Sequence, residues 1–235
     1  MSSLVIAGNT SGSITLQAPA VAGNAVLTMP TTTGTVALTS QIPTVPSGSL
    51  IGYTVYTASG TYTKATNNPS YVIVEVVGGG GGGGGNTTPA NAQLGGGGGG
   101  GYGMGKILAS ALASTETVTV GAAGAWNSSA AGTAGGTSSF GAFISATGGS
   151  GGPNSGSTSG AGGVGSGGDL NFAGGRNPSG MGGSSKFGFG SLPSGTVPSS
   201  NSGAGGAGGY VSTLGSPAGG GTNGAAGMVI VWEYK

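Results

Sequence analysis

Lys106 closes the one stretch of this sequence that looks suited to phosphate chemistry. From Gly100 the order is glycine, four residues, Gly105, Lys106. That is the G-x-x-x-x-G-K spacing, in which backbone N–H groups cradle phosphates and the lysine reaches their outer oxygens. Such a loop needs Ser or Thr next to hold the metal, and Ile107 stands there. With 60 glycines in 235 residues, this pairing and the many G-x-G-x-x-G matches arise from composition. Nucleotide binding is not expected.

Acid–base and nucleophilic chemistry is equally ill supplied. The chain has no His and no Cys, and its four carboxylates, Glu75, Glu116, Asp169 and Glu233, lie on different segments. Ser and Thr are plentiful, but no base is placed by sequence to activate one. Folding could still assemble a carboxylate pair. The expectation is a protein that is not an enzyme and uses no cofactor or metal. The five basic residues form no cluster, so there is no patch to neutralise nucleic-acid phosphates. No apolar run approaches the roughly 20 residues that cross a bilayer. The start, MSSLVIAGNTSG, lacks the basic opening and long apolar stretch of a secretion signal.

Binding residues are easier to find. Trp126 and Asn127 sit in GAAGAWNSSAAG, and Phe172 and Arg176 in GGDLNFAGGRNPSG. Aromatic faces beside Asn and Arg suit contact with sugars or exposed protein loops; the competing reading is that they fill gaps around a core. For Phe140 and Phe143 in SSFGAFIS the core reading is preferred. Asn86, Thr87 and Asn91, in the polar island NTTPANAQL, and Asn154 complete the candidate contact set.

These residues need elements to hold them. Glycine plus proline make 60 + 11 = 71 residues, a share typical of low-complexity chains. Disorder, however, pairs low hydrophobicity with high charge. Only 4% of residues are charged here, with a net charge of +1, so a packed chain within an oligomer is expected. Residues 1–40 contain short β-like pieces, SITLQA, AVLTMP and GTVALTS, separated by turn signals. They are too short to stand alone. Leu4, Val5, Ile6, Ile14 and Leu16 are the apolar residues with which this zone would pack against copies of itself or a partner, and the candidates for the attachment that the resemblance below implies. Residues 41–50, with Pro43, Pro46 and Ser47-Gly48, read as a linker.

Residues 51–235 form a glycine-rich β domain. IGYTVYTASGTYTK, YVIVEVV, TETVTVG, SSFGAFISATGG and GMVIVWEYK are strand candidates, while KILASALAS fits helix or strand. YVIVEVV and MVIVWEY are apolar on both faces, as covered strands are. They are expected to share one core and to clamp the glycine-rich body between them. The runs at 78–85 and 95–101 admit two readings. Fixing each backbone costs about 1–2 kcal/mol, with glycine at the expensive end, whereas a hydrogen bond contributes a net of about 1 kcal/mol. One paired edge therefore cannot order them. A polyglycine strand in the extended threefold conformation can bond laterally in three directions, and a bundle of such strands can order the runs; otherwise they are flexible loops.

The series YTASGTYTK, YVIVEVVGGGGGGGG, GGGGGGGYGMGKILASALASTETVTVGAAG, GGTSSFGAFISATGG, GGDLNFAGG, GGSSKFG and GAAGMVIVWEY resembles the glycine-rich domain at the distal end of bacteriophage tail fibre proteins. GNTSGSITLQAPAVAGNAVLTMPTTTGTVALTS is similar to segments near the start of virion appendage proteins. The resemblance implies an all-β homotrimer, with intertwined polyglycine (PPII-like) strands or loops. Residues 1–40 would attach to other virion proteins of the tail or baseplate. Residues 51–235 would meet a host surface polysaccharide or outer-membrane protein. It further implies synthesis in the host cytoplasm and release by lysis, without a signal peptide and without membrane insertion. Two functions follow: a short fibre whose tip binds the host receptor, or a purely structural decoration of the virion, tail, baseplate or head.

Overall fold

The structure, a computed structural model, describes residues 3–7, 13–17, 46–64, 68–86, 92–193, 196–211 and 219–235. The chain divides into two units, Met1–Thr44 and Val45–Lys235. In the first, β1 (Ser3–Ala7) pairs antiparallel with β2 (Ser13–Gln17), placing Leu4 opposite Leu16, Val5 opposite Thr15 and Ile6 opposite Ile14. The attachment candidates thus share one β-ladder. AVLTMP and GTVALTS lie outside the described residues.

The second unit opens on a turn at Pro46–Ser49, where the Ser49 N–H reaches the Pro46 carbonyl at 3.1 Å and Gly48 takes φ +85°. Its long strands are β3 (Leu50–Tyr56), β4 (Gly60–Thr63), β5 (Tyr71–Val77), β7 (Tyr102–Leu108), β8 (Thr115–Thr119) and β14 (Met228–Tyr234). Short ones are β6 (Ala92–Gln93), β9 (Ser138–Phe140), β10 (Ile144–Ala146), β11 (Gly165–Ser166), β12 (Leu170–Phe172) and β13 (Tyr210–Val211). Two antiparallel five-stranded sheets result, ordered β12-β7-β5-β14-β3 and β11-β10-β9-β8-β4. The described residues contain no α-helix. KILASALAS divides accordingly: Lys106–Leu108 end β7, and a turn follows.

The period-2 pattern decides which face packs. Val72, Val74 and Val76 of β5 and Val229 and Val231 of β14 point into one core with Tyr62, Val118, Phe140 and Ile144 of the second sheet. Phe143 packs against that core, as its sequence context suggested. One charged group is admitted: Glu233, buried beside Val231, accepts a hydrogen bond from the Tyr62 hydroxyl at 2.8 Å. Burial raises the Tyr62 pKa first, and the bond to Glu233 raises it further. A raised tyrosine contributes stability that is complete below its unfolded value near 10 and is lost as pH climbs through the folded value. Tyr62→Phe is therefore expected to lower stability by about 1.5–3 kcal/mol at pH 8, the worth of a hydrogen bond to a charged group. The gap from wild type should narrow above pH 10 in urea titrations at each pH, and a constant gap would show that the hydroxyl does not titrate late.

β5 and β14 do share the core, but they do not clamp the glycine body between them. They pair directly, Val77 opposite Met228 through Tyr71 opposite Tyr234. The body instead continues from their ends. Val77 leads into Gly78, Gly101 into Tyr102, Ala146 into Thr147 and Gly227 into Met228.

Beyond Val77 the strand carries on without side chains, and its hydrogen bonds repeat every three residues. The N–H groups of Gly78, Gly81 and Gly84 donate to the carbonyls of Gly101, Gly98 and Gly95; those of Gly79, Gly82 and Gly85 to Gly136, Thr133 and Ala130; those of Gly80 and Gly83 to Ala225 and Thr222. The carbonyls keep the same rhythm. Gly79 and Gly82 accept from Gly149 and Gly152, Gly80 and Gly83 from Gly124 and Asn127, Gly81 and Gly84 from Gly206 and Gly209. Six segments of the same chain therefore enclose the run: 95–101, 130–136 and 222–225 antiparallel, and 124–127, 149–152 and 206–209 parallel. This is the threefold strand with groups projecting in three directions. The second run sits equally deep. Gly97 and Gly100 donate to Gly206 and Gly203, Gly98 and Gly101 to Ser150 and Thr147, and Gly99 to Gly175. Glycine is required by proximity: a Cβ on Gly79 or Gly82 would fall onto the Ala122 or Ala125 carbonyl. The ordered bundle is the form adopted, and a single chain closes it.

Candidate functional site

One end of this lattice grows out of the sandwich; the other carries loops. Gly84 and Gly85 bond to Gly95 and Ala130, Gly209 bonds to Gly84, and Gly208 bonds to Gly180. Residues 86, 92–94, 127–130, 153–158, 177–180, 209–211 and 219–221 therefore gather at one level. Eight threefold residues rise about 3.1 Å each, which sets this tip roughly 25 Å from the sandwich.

Four candidates meet there. The Asn86 side-chain amide donates to the Asn154 carbonyl at 2.7 Å. The Asn127 carboxamide oxygen accepts the N–H groups of Ser129 and Ala130 at 2.9 and 3.0 Å, an Asx turn that shapes its loop. Trp126, half-buried, lies with its ring against the Gly221 backbone, and its backbone N–H donates to the Asn223 side-chain oxygen at 2.8 Å. It packs the lattice edge. Thr87 and Asn91 lie outside the described residues. Arg176 stands on the flank, its guanidinium holding the Ser159 carbonyl at 3.0 Å.

Phe172 is not at the tip. It belongs to β12 at the sandwich end, where its ring stacks on Tyr102 with centroids 6.1 Å apart. Phe187 meets Tyr102 edge-on at 5.8 Å, and the Lys186 ammonium lies 5.7 Å from the same ring. A cleft of about 360 Å³ runs between Phe172, Tyr102 and Lys186, next to one of about 570 Å³ under Phe189 and Val197.

Sequence reasoning missed the tip's own framework. Gln93 and Tyr210 pair across β6 and β13, and the Gln93 amide caps the Gly208 and Gly209 carbonyls at 2.9 and 3.2 Å. Leu94 and Val211 form a small buried plug beneath. The only signal was a Leu placed immediately before a glycine run.

Charge is distributed just as unevenly. Glu75, Glu116, Asp169, Glu233, Lys64, Lys106 and Lys235 belong to the sandwich, and Lys186 sits beside its Tyr102. Arg176 alone is carried out along the lattice. The carboxylates form no acid–base pair. Glu75 and Glu233 face opposite sides of their sheet, Glu116 accepts the Ala113 N–H at 2.9 Å, and Asp169 accepts that of Lys106 at 2.8 Å. The phosphate-loop spacing is likewise spent: Gly103, Gly105 and Lys106 lie within β7. Among the described residues no cluster of carboxylates could hold a metal ion, and no helix is long and apolar enough to cross a membrane.

Residues 57–227 match a glycine-rich domain. The chain belongs to that family. No curated protein matches it. The match runs from β4 to the residue before β14, and so takes in both polyglycine runs and every described tip loop but not β3 or β14.

Proposed function

We propose that this glycine-rich domain protein is a virion appendage, a short trimeric tail fibre. Its lattice tip binds a host surface polysaccharide or outer-membrane protein, while residues 1–40 attach it to other virion proteins. It acts by binding, without catalysis, cofactor or nucleic acid. One observation carries the reading. Described loop residues from separate lattice strands emerge together on a rigid polyglycine base, rich in Asn, Ser and Gly, with Tyr210 among them and no charged residue. Such chemistry suits sugar hydroxyls and exposed protein loops, and loops on a rigid scaffold are where recognition concentrates.

Asn154 and Tyr210 are exposed at this tip. The double variant Asn154→Ala, Tyr210→Ala is expected to reduce binding of the labelled full chain to host bacteria tenfold or more while leaving thermal unfolding unchanged. Competition with purified surface polysaccharide or outer-membrane fractions identifies the receptor class. If the wild-type chain binds no cells and does not block infection, yet stays on virions, it is a structural decoration.

A further inference from the structure

Away from its Val77–Tyr102 end, where Gly203 and Phe187 pack on it, the outer face of the β12-β7-β5-β14-β3 sheet leaves Leu50, Tyr53, Val55 and Leu108 exposed, yet it has the composition of an interior. An antiparallel sheet with one face in water normally alternates apolar and polar residues. Here the register brings Val55, Ile230, Glu75 and Met104 into one row, and Tyr53, Trp232, Ile73 and Lys106 into the next. Leu108 continues the face beside Tyr71, and Leu170 and Phe172 extend it on β12.

Glu75 and Lys106, the charges in the middle of this face, are already matched from within, while Lys186 lies at its Tyr102 border. The Glu75 carboxylate accepts from the Tyr102 hydroxyl at 2.7 Å and the Trp232 indole N–H at 3.0 Å. Lys106 lies over the Tyr71 ring, 4.0 Å from its centroid. Tyr53 stacks on Trp232 at 5.3 Å and Tyr71 on Tyr234 at 5.0 Å, which makes the face flat and stiff. A face with its polar groups satisfied internally loses little on desolvation.

Its size points the same way. Leu50, Tyr53, Val55, Leu108, Leu170 and Phe172 are between 45% and 63% exposed. At roughly 150–250 Å² per large side chain, these six alone present on the order of 600 Å². That reaches the upper end of the largest apolar patch on ordinary monomers and approaches the ~800 Å² each partner gives to a stable interface. β3 is also an edge strand among the described strands, the kind of border that offers a row of backbone groups for pairing.

We infer that this sheet face is the surface through which copies of the chain associate with one another. A flat apolar face whose central charges, Glu75 and Lys106, balance one another is complementary to itself, and a second copy is the partner that always carries it. This stands whether or not the tip binds a host.

Light scattering on the full chain, with and without Tyr53→Glu plus Leu108→Glu, tests it. Wild type is expected at a multiple of the chain mass at micromolar concentration. The variant, whose new charges sit at exposed positions, should fall to single chains with an unchanged circular dichroism spectrum. Tyr210→Glu, exposed at the opposite end, should leave the mass as it is. A wild-type chain that is monomeric at those concentrations overturns the inference, as does a variant that associates as tightly as wild type. Oxidative footprinting that finds Tyr53 and Leu108 protected in single chains also overturns it, because the cover then comes from within the chain.

Discussion

Gly82→Ala is expected to abolish the folded lattice. Gly82 lies mid-run, with its N–H on Thr133 at 3.0 Å and its carbonyl receiving Gly152 at 2.8 Å. A methyl group there would overlap the Ala125 carbonyl and sit 2.6 Å from the Trp126 nitrogen, both backbone atoms that cannot swing away. Relief requires moving a strand that is itself bonded on other sides, so the strain spreads through the neighbours. The loss should exceed the 4–5 kcal/mol that marks exceptional substitutions, a large part of the stability of an ordinary domain. Insoluble expression, or a melting transition lost at room temperature, is the expected readout. Gly219→Ala is the control: a Cβ there meets nothing within 4 Å, and the change should stay within about 0.5 kcal/mol. A Gly82→Ala protein melting within a few degrees of wild type would show that the strands can part and that close packing does not hold them.

Phe140→Ala is the second large effect, expected to cost about 3–5 kcal/mol. Phe140 is fully buried between the sheets, with its ring 5.5 Å from Tyr62 and 6.4 Å from Phe143. In a unit of this size the midpoint should fall on the order of 10 °C. The informative quantity is where the loss is felt. The chain has two tryptophans, Trp232 in the sheet and Trp126 out along the lattice. Because sheet strands continue into lattice strands, both probes should report one transition, shifted together. Single-tryptophan versions, Trp126→Phe and Trp232→Phe, separate the signals. If Trp126 melts apart from Trp232, sandwich and lattice are separate cooperative units.

Some of this was legible in the residues. YVIVEVV and MVIVWEY announce covered strands because valine on both parities leaves no face for water, and SSFGAFIS placed Phe140 and Phe143 correctly in the core. β7 was hidden, since YGMGKIL mixes glycine, lysine and apolar residues and its phosphate-loop echo drew attention to spacing instead of pleat. β11 and β12 were hidden by brevity. At the candidate site, Asn86, Asn127 and Asn154 stood out as polar residues in loop contexts. Their meeting could not be read, since 68 residues separate Asn86 from its partner Asn154. Phe172 looked equivalent to Trp126, and the fold places it at the opposite end.

By itself the sequence determined that the chain would pack as a β-rich protein and that glycine had to serve close backbone approach or slack. Those conclusions need only composition and local pattern, which every conformation shares. The tertiary structure alone decided between approach and slack. A glycine run has no side chain to signal its neighbours, so nothing local distinguishes a loop from a strand held on six sides. The outcome rests on which distant segments arrive in three-residue phase with it, and the sandwich strands at the base set that phase. The same phasing delivers the loops to a common level, turning scattered polar residues into one surface.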